Sequence, residues 1–279
     1  MLGDIGRFLP EDFSESGARV MLIAGRGEYP LFLAQRILER GIRCGVIGIQ
    51  GEASPRVLEK FPQGDRNEVQ VGQLGKVLRI LKRFRASDVI LAGQIQPLRL
   101  FRDLHLDWRA LCLIRRLKKR NAHTIFSTVC EQITQWGMRV LDGRSFMDAD
   151  ITQRSTQFPL KRWIVEHGIY IASEIARLDI GQSVIVRNGT VLSVEGFDGT
   201  DAMIRHAQSL NTKNMLLVKI SKPHHDFRFD VPIFGMQTLE LMSRSGIRFA
   251  ALEANRVIIL NRDLVLKRAE ELNIKIFGY

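Results

Sequence analysis

An apolar run of strand type, Ala18-Arg-Val-Met-Leu-Ile-Ala24, passes directly into Gly25-Arg-Gly-Glu-Tyr-Pro30. Residues 31–40 follow with apolar side chains every three to four positions, and residues 41–49 form a second strand-like run. A strand, a glycine turn, a helix and another strand in immediate succession leave one economical topology. Antiparallel neighbours need only a tight turn, whereas a helical crossover sets the second strand parallel to the first. The chain is therefore expected to open a doubly wound α/β sheet. The pattern continues with a helix over 72–85 and a buried strand, Asp88-Val-Ile-Leu-Ala92, ending in Gly93-Gln-Ile-Gln-Pro97. Ligands of such sheets lie at the carboxyl ends of the strands, which puts the turns at 25–30 and 93–97 near one crevice.

In that crevice Gly25 and Gly27 would let the backbone approach a phosphate at a helix N-terminus. The dinucleotide fingerprint is incomplete. Pro30 takes the place of its third glycine, and Gln50 follows the second strand where a ribose-binding acid belongs. A tight turn beside some other ligand is the better reading, with plain turn chemistry as the alternative.

Residues 99–120 carry a dense run of Arg and Lys with apolar residues every three to four positions, which predicts an amphipathic helix with a basic face. A helix over 124–136, closed by Gly137 as a C-cap, and a short strand over 138–141 complete the first half. A polar stretch follows, and we place the domain boundary there. The expected organisation is a poorly ordered N-terminus over 1–18, where apolar content is diluted, a Rossmann-like parallel-sheet domain over 19–147, and a C-terminal α+β domain over 148–279. The second domain should hold a helix over 163–175 and a hairpin on Asn188-Gly189. A helix that Thr200 would cap comes next, then a strand over 215–220 and a helix over 235–245. A strand pair at 247–253 and 256–260, a helix over 262–272 and a strand over 274–277 finish the chain.

The formal charge of +11 raises three classes of partner: nucleic acid, an anionic membrane surface, or a phosphate-rich substrate. Nucleic acid is disfavoured, because no helix-turn-helix, zinc finger or aromatic RNA-binding signature accompanies the charge. The basic helix suits a solvated face or an anionic interface, so contact with the inner-membrane surface stays open. Cys44, Cys112 and Cys130 are odd in number, far apart and without a CxxC spacing, which argues against a disulfide framework or a zinc ribbon. No run of about 18 apolar residues and no export pattern occur, so a cytoplasmic protein is expected.

Against the basic background, Val194-Glu-Gly-Phe-Asp-Gly-Thr-Asp201 gathers Glu195, Asp198 and Asp201 directly after the hairpin. Such a cluster is costly unless a divalent cation or cationic side chains neutralise it. Lys219-Ile-Ser-Lys-Pro-His-His-Asp-Phe-Arg-Phe-Asp230 supplies the other half of a metal-and-phosphate site. Asp198, Asp201 and Asp226 are the candidate ligands of Mg²⁺ or Mn²⁺, and Asp226, Asp201 and Asp230 the candidate catalytic acids that would activate a water. Lys219, Lys222 and Arg228 would clamp a diphosphate, with Gln182, Thr200, Gly25 and Gly27 also on the substrate. Plainer readings stand beside these. Asp198 suits a turn, Asp201 suits the first turn of a helix, where the dipole favours an acid, and Asp-Phe-Arg-Phe-Asp alternates like a half-exposed strand. His224 and His225 read as surface histidines.

Four stretches carry a family resemblance: Leu22-Ile-Ala-Gly-Arg-Gly-Glu-Tyr-Pro30, Asp179-Ile-Gly-Gln-Ser-Val-Ile-Val186, Gly199-Thr-Asp-Ala-Met-Ile204 and Lys222-Pro…Asp226-Phe-Arg-Phe-Asp230. In order and spacing they resemble the LpxI-type UDP-2,3-diacylglucosamine pyrophosphatases. The resemblance implies a two-domain enzyme of lipid A synthesis that hydrolyses UDP-2,3-diacylglucosamine to lipid X and UMP. It further implies a divalent cation, usually Mg²⁺, an active site between the domains, and a homodimer. Two departures stand out. Arg120-Asn-Ala-His123 replaces the family's Gly-Asp-Asp, and Asp198 replaces the Glu of its Glu-Gly-Thr-Asp. The alternative is a diverged, non-catalytic nucleotide- or lipid-binding protein on the same fold. The acyl chains of such a substrate need apolar linings, expected near 158–175 and 100–117.

Overall fold

The computed structural model describes residues 6–95, 107–116, 122–223 and 225–279. The chain forms two compact units, one of Met1–Asp148 with Asp226–Asp230, the other of Ala149–His225 with Val231–Tyr279. A short segment from late in the sequence thus belongs to the first unit.

The first unit holds a parallel sheet in the order β3-β2-β1-β4-β5. Its strands are β1 (Arg19–Ala24), β2 (Arg43–Ile49), β3 (Arg66–Val69), β4 (Asp88–Ala92) and β5 (Arg139–Val140). Buried residues such as Leu22, Ile47 and Ile90 fill the central strands, which read as nearly continuous apolar runs because helices cover both faces. The helices are α1 (Tyr29–Glu39), α2 (Pro55–Leu58), α3 (Leu74–Phe84), α4 (Trp108–Arg116) and α5 (Ala122–Gln135). On α3 the residues Leu74, Val77, Leu78, Leu81 and Phe84 face the core at helical spacing, and Lys76, Arg79, Lys82 and Arg83 face solvent. Arg85 then stops the helix in the left-handed region, its N–H returning to the Leu81 carbonyl.

Several expectations need correction. β3 has no counterpart in the sequence reading, since only Val69 of its four residues is buried and no alternation shows. Residues 6–18, expected to be poorly ordered, bury Leu9 and Phe13, and Phe13 meets the Phe146 ring edge-on. Two anchors four residues apart suffice where mean composition looks dilute. Of the basic helix expected over 99–120, only α4 lies within the described residues. His224, Arg120 and Asn121 lie outside them.

The second unit holds a mixed sheet in the order β12-β10-β8-β6-β7. β8 (Met215–Lys219), β10 (Ile247–Leu252) and β12 (Lys275–Gly278) run parallel, while β6 (Ser183–Arg187) and β7 (Thr190–Val194) form an antiparallel hairpin on β8. The hairpin turn has positive φ at both Asn188 and Gly189, as a type I′ turn requires. One face is covered by α6 (Arg162–Arg177), which packs Val165, Ala172 and Ile175 among Val184, Val186 and Val218. The other face is covered by α7 (Thr200–Ser209), α8 (Met236–Arg244) and α9 (Arg262–Glu271), with Ile204, Met242 and Val265 packed around Ile185 and Leu217. The expected strand pair at 247–253 and 256–260 does not form. β11 (Ile258–Ile259) pairs instead with β9 (Ile233–Phe234) in a separate two-stranded sheet.

Candidate active site

The hairpin's direction creates the site in the second unit. Because β6 runs against β8, Ser183 stands opposite Lys219, and Val194 stands opposite Val184. The start of β6, the end of β7 and the carboxyl ends of β8, β10 and β12 therefore share one edge. That edge is where α/β sheets bind ligands.

Two glycines shape it. A Cβ on Gly181 would stand 2.2 Å from the Glu195 carbonyl oxygen, so only glycine lets the end of β7 cross so closely. Gly199, at φ 84°, turns the chain into α7 and serves as its N-cap. Thr200 is the first helical residue and not the cap. Its hydroxyl donates to Glu195 Oε1 at 2.7 Å. Lys219 ends β8, buried, with Nζ 3.3 Å from Thr200 Oγ1 and 3.4 Å from Ser183 Oγ. The Gln182 backbone N–H approaches Glu195 Oε2 at 3.3 Å. Burial by itself would raise the Glu195 pKa. The Lys219 charge, with hydrogen bonds from Thr200, Ser183 and the Gln182 backbone, instead carries it below the ordinary glutamate range. Lys219 and Glu195 thus share a hydroxyl-lined polar nest, joined through Thr200 and Ser183 and poised at a ligand edge.

A neighbouring cluster escaped the sequence reading. Ser221 donates its N–H and its Oγ hydrogen to Glu253 Oε2, both at 2.7 Å. Arg256 Nη1 lies 3.0 Å from Ser221 Oγ, and Arg256 Nε 3.2 Å from Glu253 Oε1. The buried Tyr279 phenol has its pKa raised by burial and then by the Glu253 charge. Ser221, Glu253 and Tyr279 each sit one or two residues past the end of a parallel strand. That position is the only signal that sequence offered for them.

The remaining candidates fall in different surroundings. Asp198 is exposed, while Asp201 in the first turn of α7 accepts from Gln237 Nε2 at 2.8 Å and has Arg205 at 4.0 Å. Lys222 is ion-paired with Asp179. Asp226, Arg228 and Asp230 belong to the first unit, in a turn and not the strand their alternation suggests. There Arg228 grips Asp226 with Nε to Oδ1 at 2.9 Å and Nη2 to Oδ2 at 2.6 Å, and its backbone N–H adds 3.1 Å to Oδ1. Burial would push the Asp226 pKa up, but these bonds and the guanidinium charge bring it below the usual aspartate value. The Asp230 N–H donates to the Asp226 carbonyl at 3.2 Å. Phe227 lies under the Arg144 guanidinium at 3.6 Å, and its carbonyl accepts the Gly143 N–H at 2.7 Å beyond β5.

Gly25 also serves packing. Its Cβ would lie 2.5 Å from the Gln94 carbonyl oxygen, and the two strand-end loops are joined by Arg26 N–H to Gln94 O at 2.7 Å and Gln94 N–H to Arg26 O at 3.0 Å. Gly27, at φ 103° with open space around it, keeps its glycine for the backbone angle. Arg26 reaches back to the buried Glu52 at 3.1 Å.

Among the described residues no three His, Cys, Asp or Glu side chains stand together as a metal centre. Of the expected set, Asp198 and Asp201 belong to the second unit and Asp226 to the first.

Two family models match the chain, the LpxI N-terminal domain over residues 19–149 and the LpxI C-terminal domain over 150–277. The chain belongs to the LpxI family. Among relatives, the UDP-2,3-diacylglucosamine pyrophosphatase LpxI of Caulobacter vibrioides is 28% identical over 273 residues, covering 92% of this chain and 96% of that protein. The LpxI C-terminal match contains Gln182, Glu195, Thr200 and Lys219 and so takes in the whole polar nest. It also contains Asp226–Asp230, which folds with the N-terminal unit.

Proposed function

We propose that this chain is a hydrolase that adds water across the diphosphate of UDP-2,3-diacylglucosamine, releasing UMP and lipid X. The reading joins LpxI membership to one observation. A buried lysine, Lys219, is held beside Glu195, Thr200 and Ser183 at the ligand edge of a sheet. Charge grows on phosphoryl oxygens as a diphosphate is cleaved, and a preorganised cation stabilises it most where water is scarce. Thr200 and Ser183 orient Lys219 beside the Glu195 carboxylate, and Gln182 lies on the substrate. Arg228, itself aimed by Asp226, is a bidentate donor for phosphate. Lys222 is a further candidate for the diphosphate, Asp230 a candidate catalytic acid, and Asp226 our candidate for positioning the attacking water.

A divalent cation, Mg²⁺ or Mn²⁺, would neutralise the diphosphate. Mg²⁺ is commonly held by one or two carboxylates with phosphate oxygens and waters. Asp198 and Asp201, close in sequence at the start of α7, fit that demand. Asp226 fits it less well, since both its oxygens already accept N–H groups of Arg228. We include in this reading a cytoplasmic setting, contact with the inner-membrane surface and a homodimer. No described helix is long and apolar enough to cross a membrane.

The test is release of UMP from UDP-2,3-diacylglucosamine by the purified chain in Mg²⁺. We expect turnover that EDTA stops and that Lys219→Met lowers by about 10²–10³, the usual loss for one preorganised electrostatic donor. Tight substrate binding without any UMP would replace this reading with the non-catalytic one.

A further inference from the structure

Glu253 holds the run from Lys219 to Lys222 at two points. Its backbone N–H donates to the Lys219 carbonyl at 3.1 Å, and one oxygen of its carboxylate accepts both the N–H and the hydroxyl of the buried Ser221. Between those points the Ile220 N–H donates to the Gln182 carbonyl at 2.9 Å. Lys219, Ile220 and Ser221 are thus each tied to the edge of the sheet, and Lys222 leaves from that anchored run. Glu253 is held in turn. Arg256 Nε lies 3.2 Å from its other oxygen, and the Tyr279 backbone brackets it, bonded to Leu252 and to Ala254 at 3.1 Å each. The Lys222 ammonium rests on the exposed Asp179. Exposed ion pairs contribute little, so Asp179 gives the lysine up readily to a diphosphate, and the aim of Lys222 depends on the chain beneath it.

We propose that Glu253 is a positioning residue, which fixes the exit of the chain from β8 and so aims Lys222 at the diphosphate beside Lys219. The proposal rests on the hydrolase reading for its reaction, and inorganic pyrophosphate tests it first without catalysis. In Glu253→Gln one acceptor oxygen remains for Ser221 and Arg256 together, and the amide NH2 faces whichever donor is left. Pyrophosphate is titrated calorimetrically, with Mg²⁺ present, into the full chain, Glu253→Gln, Lys222→Met and the double variant. Affinity should fall roughly tenfold in Glu253→Gln, the scale of one charged hydrogen bond. The same change made in Lys222→Met, with no lysine left to aim, should cost less than about twofold. An unchanged affinity in Glu253→Gln, or an equal loss in both backgrounds, overturns the proposal. Absence of saturable binding to the unaltered chain overturns it too. Kinetics with UDP-2,3-diacylglucosamine supply the second arm. KM should rise roughly tenfold in Glu253→Gln with kcat nearly constant, since a misplaced Lys222 loosens the grip while Lys219 keeps its seat. A fall in kcat at constant KM overturns the proposal in favour of general damage to the site. If Glu253→Gln fails to fold, Arg256→Met, which releases Glu253 at one oxygen, takes its place under the same comparisons. Pyrophosphate affinity that follows Glu253 through Lys222 without any hydrolysis would count against the hydrolase and leave the positioning role standing.

Discussion

Lys219 and Glu195 show how a single residue can be structural and chemical at once. Removing the buried ammonium leaves the Ser183 and Thr200 hydroxyls without their partner and Glu195 without the neighbouring cation, at a typical cost of about 1–3 kcal/mol. Lys219→Met should therefore lose stability as well as turnover, read by urea unfolding. The pH dependence gives a sharper check. The Glu195 pKa is lower in the folded chain than its ordinary 4.5, so its contribution is full above that value and is lost as pH falls through the folded pKa. In Lys219→Met burial prevails and the folded pKa rises, which reverses the sign. The stability gap between the two proteins should then narrow from pH 7 to pH 4, and a gap constant with pH would refute the coupling. Gly25→Ala tests a different residue-scale claim. Its Cβ would press on backbone, so about 1–3 kcal/mol should be lost by thermal unfolding.

Elements show where the sequence was legible. β1, α1, β2 and β4 announced themselves because strands buried on both faces and a one-faced helix leave strong periodicities. The half-exposed strand that was the alternative reading of Asp226–Asp230 does not form, because alternation measures burial and not pairing. Phe227 is partly covered by a guanidinium and Phe229 by another ring, and both fit a turn. Ser221, Glu253 and Tyr279 were invisible because strand order, not sequence distance, makes them neighbours. On α6, Gly168 offers a test of packing against propensity. Alanine in a helix interior usually gains about 1 kcal/mol over glycine. Here its Cβ would lie 2.8 Å from Val218 and 3.2 Å from Val186, so Gly168→Ala should be net destabilising. Adding Val218→Ala should recover part of the loss in a double-mutant cycle, and strict additivity would sink the explanation.

At the scale of the whole molecule, the chain leaves the first unit after Asp148 and returns to it for Asp226–Asp230. A fragment ending at residue 148 lacks Phe229 beneath Phe126 and the Phe227 carbonyl for Gly143. It should unfold at a lower urea concentration than the same unit in the full chain, as followed by hydrogen exchange at β4 and β5. Equal protection in both would show that the returning segment contributes nothing. The returning segment also bears on biosynthesis. A ribosome that has just finished residue 148 still has 81 residues to add before it reaches Phe229. At about 5–20 residues per second the nascent first unit waits roughly 4–16 s for its last piece, so it cannot mature while the rest is being made and is exposed to chaperones for that interval.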